Sequence, residues 1–331
     1  FVSSAAVVRG LFAAVWAFPA FFRRFSRTVA DLVPQVIHSH GIKTHVLGAL
    51  LSRRAPVIWH IHDYVGMRAV SSRLLRLLAH RCSLAIAVSE SVAQDARRHL
   101  PARLPLIVVH NSVDCRRFSP EGRALDLDAL SELPQAPPGT VRIGLPATFA
   151  RWKGHEIFLE ALTRVTSSKI RGYVIGGPLY QTHNSQWSRA ELESRVKALG
   201  LEGRVGFTGL VTDMPAAYRA LDIVVHGSTR PEPFGLVIAE AMACGRAVVA
   251  APTGGAGELF VHDRHALAAA SGSAVEMAAM IQRLVDDPGR RAELGARARA
   301  HVVQAFGRDR FAANLNVALS RVATLAVAAA P

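Results

Sequence analysis

The sequence predicts an α/β protein made of two Rossmann-like, doubly wound parallel-sheet domains. Short apolar strands alternate with amphipathic helices along nearly the whole chain, the pattern produced when helices cover both faces of a parallel sheet. A break at Glu132 to Thr140, ELPQAPPGT, holds three prolines and one glycine and divides the alternation into two series. At 331 residues the chain also exceeds what one hydrophobic core usually organises. The expected domains are residues 1–135 and 136–331, with the last helix packing back on the first domain.

The chain opens with an apolar run, Gly10 to Phe22, bounded by Arg9 on one side and Arg23 and Arg24 on the other, with Pro19 inside it. A membrane span needs about 20 apolar residues. A signal peptide would want small residues where Arg23, Arg24 and Arg27 stand. The segment Leu11 to Leu32 therefore reads as a helix. Strands are expected at Gln35–Ser39, Pro56–His60, Leu84–Val88 and Leu106–His110 in the first series. The second series reads Val141–Leu145, Gly172–Ile175, Val205–Thr208, Ile223–Val225 and Ala247–Ala250. Ligands of such sheets collect at the carboxyl ends of the strands, and with two such domains the expected site is the cleft they face.

Composition narrows the partners. Cys82, Cys115 and Cys244 are odd in number and far apart, so neither a disulfide framework nor a cysteine zinc site is expected, and a reducing cytoplasm fits. The formal charge of +14 is concentrated in residues 1–120, which hold 16 Lys and Arg against 5 Asp and Glu. Such an excess favours an anionic surface or ligand, and a peripheral position on the inner membrane face is the expectation. The basic residues are scattered, without interleaved aromatics, which argues against nucleic acid.

The stretch Ser228 to Ala250, STRPEPFGLVIAEAMACGRAVVA, is the most informative in the chain. Pro231 and Pro233 keep Glu232 extended, so a helix is expected to start after Pro233. Its first amides, from Phe234 through Gly235 and Leu236 to about Val237, lack carbonyl partners one turn back. With the helix dipole they suit a diphosphate. Glu240 lies about 8 Å along the helix at the usual rise, so Glu232 and Glu240 can address different parts of one elongated ligand. The same residues also fit a plain buried helix with two tolerated glutamates.

Other motifs bound the chemistry. No GxGxxG follows a strand and no GxxxxGK[ST] occurs, which weakens nicotinamide, flavin and P-loop readings. Asp126 and Asp128 form a DxD pair, but in the proline-rich region rather than after a buried strand. His38 with His40, and His60 with His62, form two HxH pairs whose members share a strand face. Carboxylates for a hydrolytic metal centre are scarce there apart from Asp63, and no metal or other cofactor is expected.

Several ordered motifs together resemble the retaining glycosyltransferases of family 4, the glycosyl transferases group 1, which have the GT-B architecture. They are PQVIHSHG (Pro34–Gly41), IHDY (Ile61–Tyr64), AVSES (Ala87–Ser91), HNSVD (His110–Asp114) and IGLPATFARWKGHEIFLEAL (Ile143–Leu162). They continue with VIGGP (Val174–Pro178), FTGLVTDMPAAYRALDIVVHGS (Phe207–Ser228), PEPFGLVIAEAMACG (Pro231–Gly245) and TGGAGEL (Thr253–Leu259). The resemblance covers nearly all of residues 30–315. It departs from the family at three places. The opening strand with its glycine-rich loop has no counterpart, so the first domain is expected to be incomplete at its start. Thr148 stands where many members carry arginine, with Arg151 as nearest substitute, and Ser112 replaces the glycine of the usual NGVD.

The resemblance implies a nucleotide-sugar donor and named roles. Lys153 would meet the diphosphate, helped by Arg151 and by amides near Phe234, Gly235, Leu236 and Val237. Glu232 would hold the transferred sugar, Glu240 the ribose, and Gly176 and Gly177 with the loop from Gly209 to Val211 would border the base. His62 matches the family's active-site histidine, expected near the sugar, with His60 in support. The implied catalytic set is Glu232, His62 and Lys153, acting without a covalent intermediate. The acceptor would be a glycan, a lipid-linked sugar or another cell-surface glycoconjugate. Two alternatives share the fold: a nucleotide-sugar 2-epimerase, and a noncatalytic sugar-nucleotide-binding fragment.

Overall fold

The computed structural model describes residues 4–179 and 185–328, and side chains for residues 16–179 and 185–322, so the side chains of the alanine-rich tail beyond Ala323 lie outside the described residues. The chain divides into two compact units. The first comprises Phe1–Ala87, Asp95–Ile107 and Asn316–Pro331, and the second Val88–Gln94 and Val108–Leu315.

In the first unit, α1 (Ser4–Asp31) begins before the expected Leu11 and continues through Pro19, which removes one intrahelical donor without ending the helix. Then follow β1 (Ile37–His40), α2 (Ile42–Leu50), β2 (Val57–Ile61), α3 (Ala69–Leu78), β3 (Leu84–Ala87), α4 (Glu90–His99) and β4 (Leu106–Val108). The sheet runs β1-β2-β3-β4, with β1 parallel to β2 and β2 parallel to β3. β2 is buried along its whole length, which is why VIWHI reads as a nearly continuous apolar run. β1 starts two residues later than expected, where the Ile37 amide meets the Pro56 carbonyl. That shift brings His40 into the strand, opposite His60.

The second unit begins its sheet after α5 (Leu127–Leu130), a helix just ahead of the stretch Glu132–Thr140, which itself forms neither helix nor strand. Asp126 caps α5 through the Ala129 amide. Asp128 is fully buried and accepts from the Tyr173 hydroxyl at 2.7 Å and from Arg171 at 2.6 Å. Burial works to raise the Asp128 carboxyl, but the hydroxyl and the guanidinium groups of Arg171 and Arg142 hold it well below the usual range. A carboxylate committed in this way is structural, so the DxD pair is part of the packing.

The alternation continues with β5 (Val141–Pro146), α6 (His155–Arg164), β6 (Ile170–Ile175), α7 (Arg189–Ala198), β7 (Val205–Gly209), α8 (Met214–Arg219) and β8 (Ile223–His226). It ends with α9 (Leu236–Ala243), β9 (Ala247–Ala250), the short β10 (Leu267–Ala268), α10 (Ala274–Asp286), α11 (Pro288–Phe306) and α12 (Arg308–Ala328). The sheet order is β10-β9-β8-β5-β6-β7, every pair parallel. Counting from β5, that is the doubly wound order, with its reversal between β5 and β8. Ile143, Leu145, Val174, Phe158 and Ile281 are among the side chains that close the core around this sheet. The loops leaving β5 and β8 therefore border the switch point, where ligands of such sheets bind.

Candidate active site

Lys153 and Glu232 come from those two loops. Lys153 ends a short 3₁₀ turn, Arg151–Lys153, just past β5, and Gly154 follows in the left-handed region at φ 81°. A Cβ at Gly154 would collide with the Gly227 carbonyl beyond β8, so only glycine lets the two loops approach this closely. Glu232 is fixed from the other side: its amide donates to the Thr253 carbonyl, and its carbonyl accepts from the Gly255 amide.

The Lys153 ammonium donates to both Glu232 carboxylate oxygens, at 2.8 and 2.9 Å, and both side chains are largely buried. Two groups at the end of β8 complete the arrangement. The Ser228 hydroxyl donates to Glu232 Oε2 at 2.9 Å, and His226 Nε2 lies 3.3 Å from the same oxygen and 3.1 Å from Ser228 Oγ. A carboxylate acceptor selects the tautomer with the proton on His226 Nε2. The buried Nδ1, which has no hydrogen-bond partner among the described residues, then carries the lone pair. Burial alone would raise the Glu232 carboxyl. The hydrogen bond from His226 and the charge of Lys153 outweigh it and hold the group at about 2.

α9 begins at Leu236, two residues later than the expected start after Pro233. Gly235 takes the N-cap position at φ 96°, a left-handed turn that cannot belong to the helix. The amides of Ile238 and Ala239 already reach the Gly235 carbonyl, so the first-turn donors left to a ligand are those of Leu236 and Val237. The Phe234 side chain is buried against Phe306 and His110 and anchors the loop. One turn along, Glu240 accepts from the hydroxyl of fully buried Tyr218 at 2.9 Å. Burial raises the Glu240 carboxyl, and the Tyr218 bond and Arg117 only partly counter it.

The remaining expected residues separate into two groups. Gly176, at the end of β6 with φ 141°, donates its amide to the Gly209 carbonyl, and a Cβ there would meet the Ala147 carbonyl. Gly177 accepts from the Phe149 amide at 3.1 Å, so both glycines shape the turn beside β5. Arg151, by contrast, lies with its guanidinium 3.7 Å from the Trp187 ring centroid and pairs with Glu191 at 2.8 Å. It is not joined to the Lys153–Glu232 group. Ser112 is absent from the residues with positive φ, which explains why serine is tolerated there. In the first unit, His62 lies just past β2 with its Nε2 2.9 Å from His40 Nδ1. Burial and the neighbouring His40 lower its pKa, against the opposing effect of Asp63.

Sequence reasoning passed over three groups. His226 and Tyr218 gave no signal beyond falling inside apolar segments, although His226 sits two residues before Ser228 and six before Glu232. Glu258 was read only as part of a motif. It accepts from the Glu90 and Ser91 amides at 2.8 Å each and from His110 at 2.9 Å, so it fastens the start of α4 within the second unit.

Comparison with known proteins shows the family and the fold. The descriptor of the glycosyl transferases group 1 matches residues 135–301, and that of glycosyltransferase family 4 matches residues 2–117. A lipopolysaccharide core biosynthesis mannosyltransferase, LpcC of Rhizobium leguminosarum bv. viciae, is 30% identical over 331 aligned residues, covering 88% of this chain and 92% of the relative. The chain belongs to the glycosyl transferases group 1 family. Within that family, a D-inositol 3-phosphate glycosyltransferase of Xylanimonas cellulosilytica is 33% identical over 69% of this chain. The chain spans 54% of that relative's length, and only 17% of a mannosylfructose-phosphate synthase of Agrobacterium fabrum. Among solved structures, HepE of Anabaena in complex with UDP superposes with a TM-score of 0.81 at 29% identity, over 91% of this chain and 82% of HepE. The fold is GT-B. Among the described residues, no helix is long and apolar enough to cross a membrane.

Proposed function

We propose that this chain is a retaining glycosyltransferase that moves a sugar from a nucleoside-diphosphate sugar to a glycan, a lipid-linked sugar or another cell-surface glycoconjugate. The observation that carries the reading is the Lys153–Glu232 pair, held by His226 and Ser228 at the switch point and followed by the start of α9. HepE binds UDP and, in a second structure, UDP-glucose, which supports a nucleoside-diphosphate donor here.

In this mechanism the bond between the anomeric carbon and the phosphate oxygen breaks, and its electron pair leaves with the diphosphate. Positive charge grows on the sugar and negative charge on the leaving group. Lys153 and the Leu236 and Val237 amides meet the departing charge. Preorganised donors of this kind contribute roughly 3–4 kcal/mol each where they have been tested. Glu232 turns to the sugar hydroxyls, and His226 with Ser228 keeps its carboxylate in place once Lys153 is drawn to phosphate. Glu240 accepts from the ribose hydroxyls. The acceptor hydroxyl attacks from the face being vacated and passes its proton to the leaving phosphate oxygen, so configuration is retained. His62 keeps the role of a hydrogen-bond partner for the transferred sugar. The diphosphate charge is met by Lys153 and amides, and the DxD carboxylate Asp128 is committed to Arg171 and Tyr173, so the proposed transfer runs without a metal.

The first unit supports a surface-associated acceptor. Trp16 is 82% exposed, and Phe18 and Phe21 are exposed on the same helix, alongside Arg23, Arg24 and Arg27. Val70 and Leu77 of α3 are also exposed, beside Arg73 and Arg76. Apolar side chains interleaved with arginine suit an anionic lipid surface.

The test is incubation of the protein with labelled nucleotide sugars and membrane-derived acceptors, with NMR of the product's anomeric configuration. Transfer with retention supports the proposal. An epimerised nucleotide sugar formed without acceptor would replace it with the isomerase reading, and donor binding without turnover under every acceptor would replace it with a binding role.

A further inference from the structure

The first unit carries a group of side chains of which the proposed donor chemistry uses only His62. β1 and β2 run parallel with His40 opposite His60, and alternation along each strand sends residues two apart to one face. His38, His40, His60 and His62 therefore crowd together on that face. Ring centroids are 4.5 Å apart for His38 and His40, 5.3 Å for His38 and His60, and 5.0 Å for His40 and His60.

Ligand-capable nitrogens of His38, His40 and His60 all lie within 4.8 Å of one another. His38 Nε2 is buried and has no hydrogen-bond partner among the described residues, an arrangement that costs free energy unless something takes its lone pair. His40 is exposed, which leaves the group open to solvent on one side. The contact between His40 Nδ1 and His62 Nε2 completes the picture. In the tautomer where His40 donates to His62, His40 Nε2 keeps its lone pair and its ring is held in orientation, the usual part of an outer partner of a metal-bound imidazole.

We infer that His38, His40 and His60 form a binding site for a divalent transition-metal ion of the Zn²⁺ class, with His62 orienting His40 from behind. The donor set makes the choice: imidazoles without carboxylates suit Zn²⁺, Co²⁺ or Ni²⁺ and do not suit Mg²⁺ or Ca²⁺. Bonds of about 2.0–2.1 Å in a tetrahedral site put nitrogens ~3.4 Å apart, so the rings need to close by at most ~1.4 Å through side-chain rotation. Three imidazoles leave a fourth position for water. The scarcity of carboxylates that argues against a hydrolytic centre does not touch a site of this kind.

The three ligands His38, His40 and His60 take no part in the proposed donor chemistry, and the test of the site needs no transfer assay. The full chain, stripped with a chelator, is titrated with Zn²⁺ by calorimetry and with Co²⁺ by visible absorption. One equivalent should bind, with the strong d–d bands of a low-coordinate nitrogen site. His38→Gln and His40→Gln should each weaken binding by at least about tenfold, while His80→Gln, an exposed histidine elsewhere in the same unit, should leave it unchanged. Circular dichroism establishes that the variants fold, and His40, at the exposed side, keeps the test open if His38→Gln does not. Absence of saturable binding by the folded wild type up to about 100 μM metal, or equal binding by the folded variants, overturns the inference.

Discussion

The Lys153 ammonium rests on both oxygens of the Glu232 carboxylate, so the cation proposed for the diphosphate neutralises the anion proposed for the sugar. In the proposed mechanism a diphosphate draws Lys153 away, and Glu232 then stays charged and in place without it. His226 and Ser228 already contact Glu232 Oε2 and would hold it through that exchange.

Glu232→Gln keeps the shape of the side chain and removes its charge. Transfer should fall by about 10²–10³-fold, while binding of the free nucleoside diphosphate stays close to wild type or tightens as Lys153 is released. Steady-state transfer together with calorimetry checks both. Near wild-type turnover would show that the carboxylate does not act on the sugar.

Lys153→Ala should weaken nucleoside-diphosphate binding by about 10–100-fold, the worth of a charge-assisted contact, and lower kcat as well. It also leaves Glu232 buried without its cation, so Tm should drop. Unchanged binding by a folded variant would remove Lys153 from the diphosphate.

His226→Phe tests the support of Glu232 through pH. The folded Glu232 carboxyl is held at about 2, below its ordinary 4.5, so its stabilisation is present in full above the ordinary value and is lost as pH falls towards 2. Without His226 the folded value rises and less is gained. Denaturant unfolding from about pH 3 to pH 7 should show the gap between wild type and variant widest at neutral pH and closing in acid. A gap that does not vary with pH would assign the loss to packing alone. The variant's kcat should fall more than its donor KM rises.

Glu240→Ala should cost affinity for a nucleoside diphosphate by about tenfold or more but leave its 2′,3′-dideoxy analogue unaffected, because a carboxylate bond to a hydroxyl contributes roughly 1.5–3 kcal/mol. Parallel calorimetric titrations decide it. Equal losses with both ligands would place Glu240 away from the ribose.

The exposed apolar residues and arginines of the first unit lead to a membrane test. Sedimentation with anionic liposomes should exceed that with neutral ones, and salt should weaken it, since screening shortens the reach of exposed charges to about 8 Å at physiological ionic strength. Trp16→Ser with Phe21→Ser should reduce binding. Equal sedimentation with both lipids would end the electrostatic argument.

The alternation of apolar strands and helices determined the fold class, and nine of the ten strands among the described residues were legible because buried parallel strands read as short apolar runs. β10 was missed, since Leu267–Ala268 is held only by the register of β9. Motif spacing likewise marked Lys153, Glu232, Glu240 and Gly235, because loop glycines, prolines and charged residues next to strand ends leave a local trace. Tertiary structure alone decided how they are joined. Lys153 and Glu232 are 79 positions apart, and their contact depends on β5 and β8 being neighbours and on Gly154 passing against Gly227. The partners of buried polar groups are equally silent in sequence: nothing local distinguishes Asp126 and Asp128 in a linker from a cap and a buried ion pair, or Arg151 on a phosphate from Arg151 on Trp187. Local composition sets which residues form an element, because backbone preferences and burial act over a few residues. Long-range strand order sets which charges meet, because electrostatic pairing acts over a few ångströms of space and not over sequence.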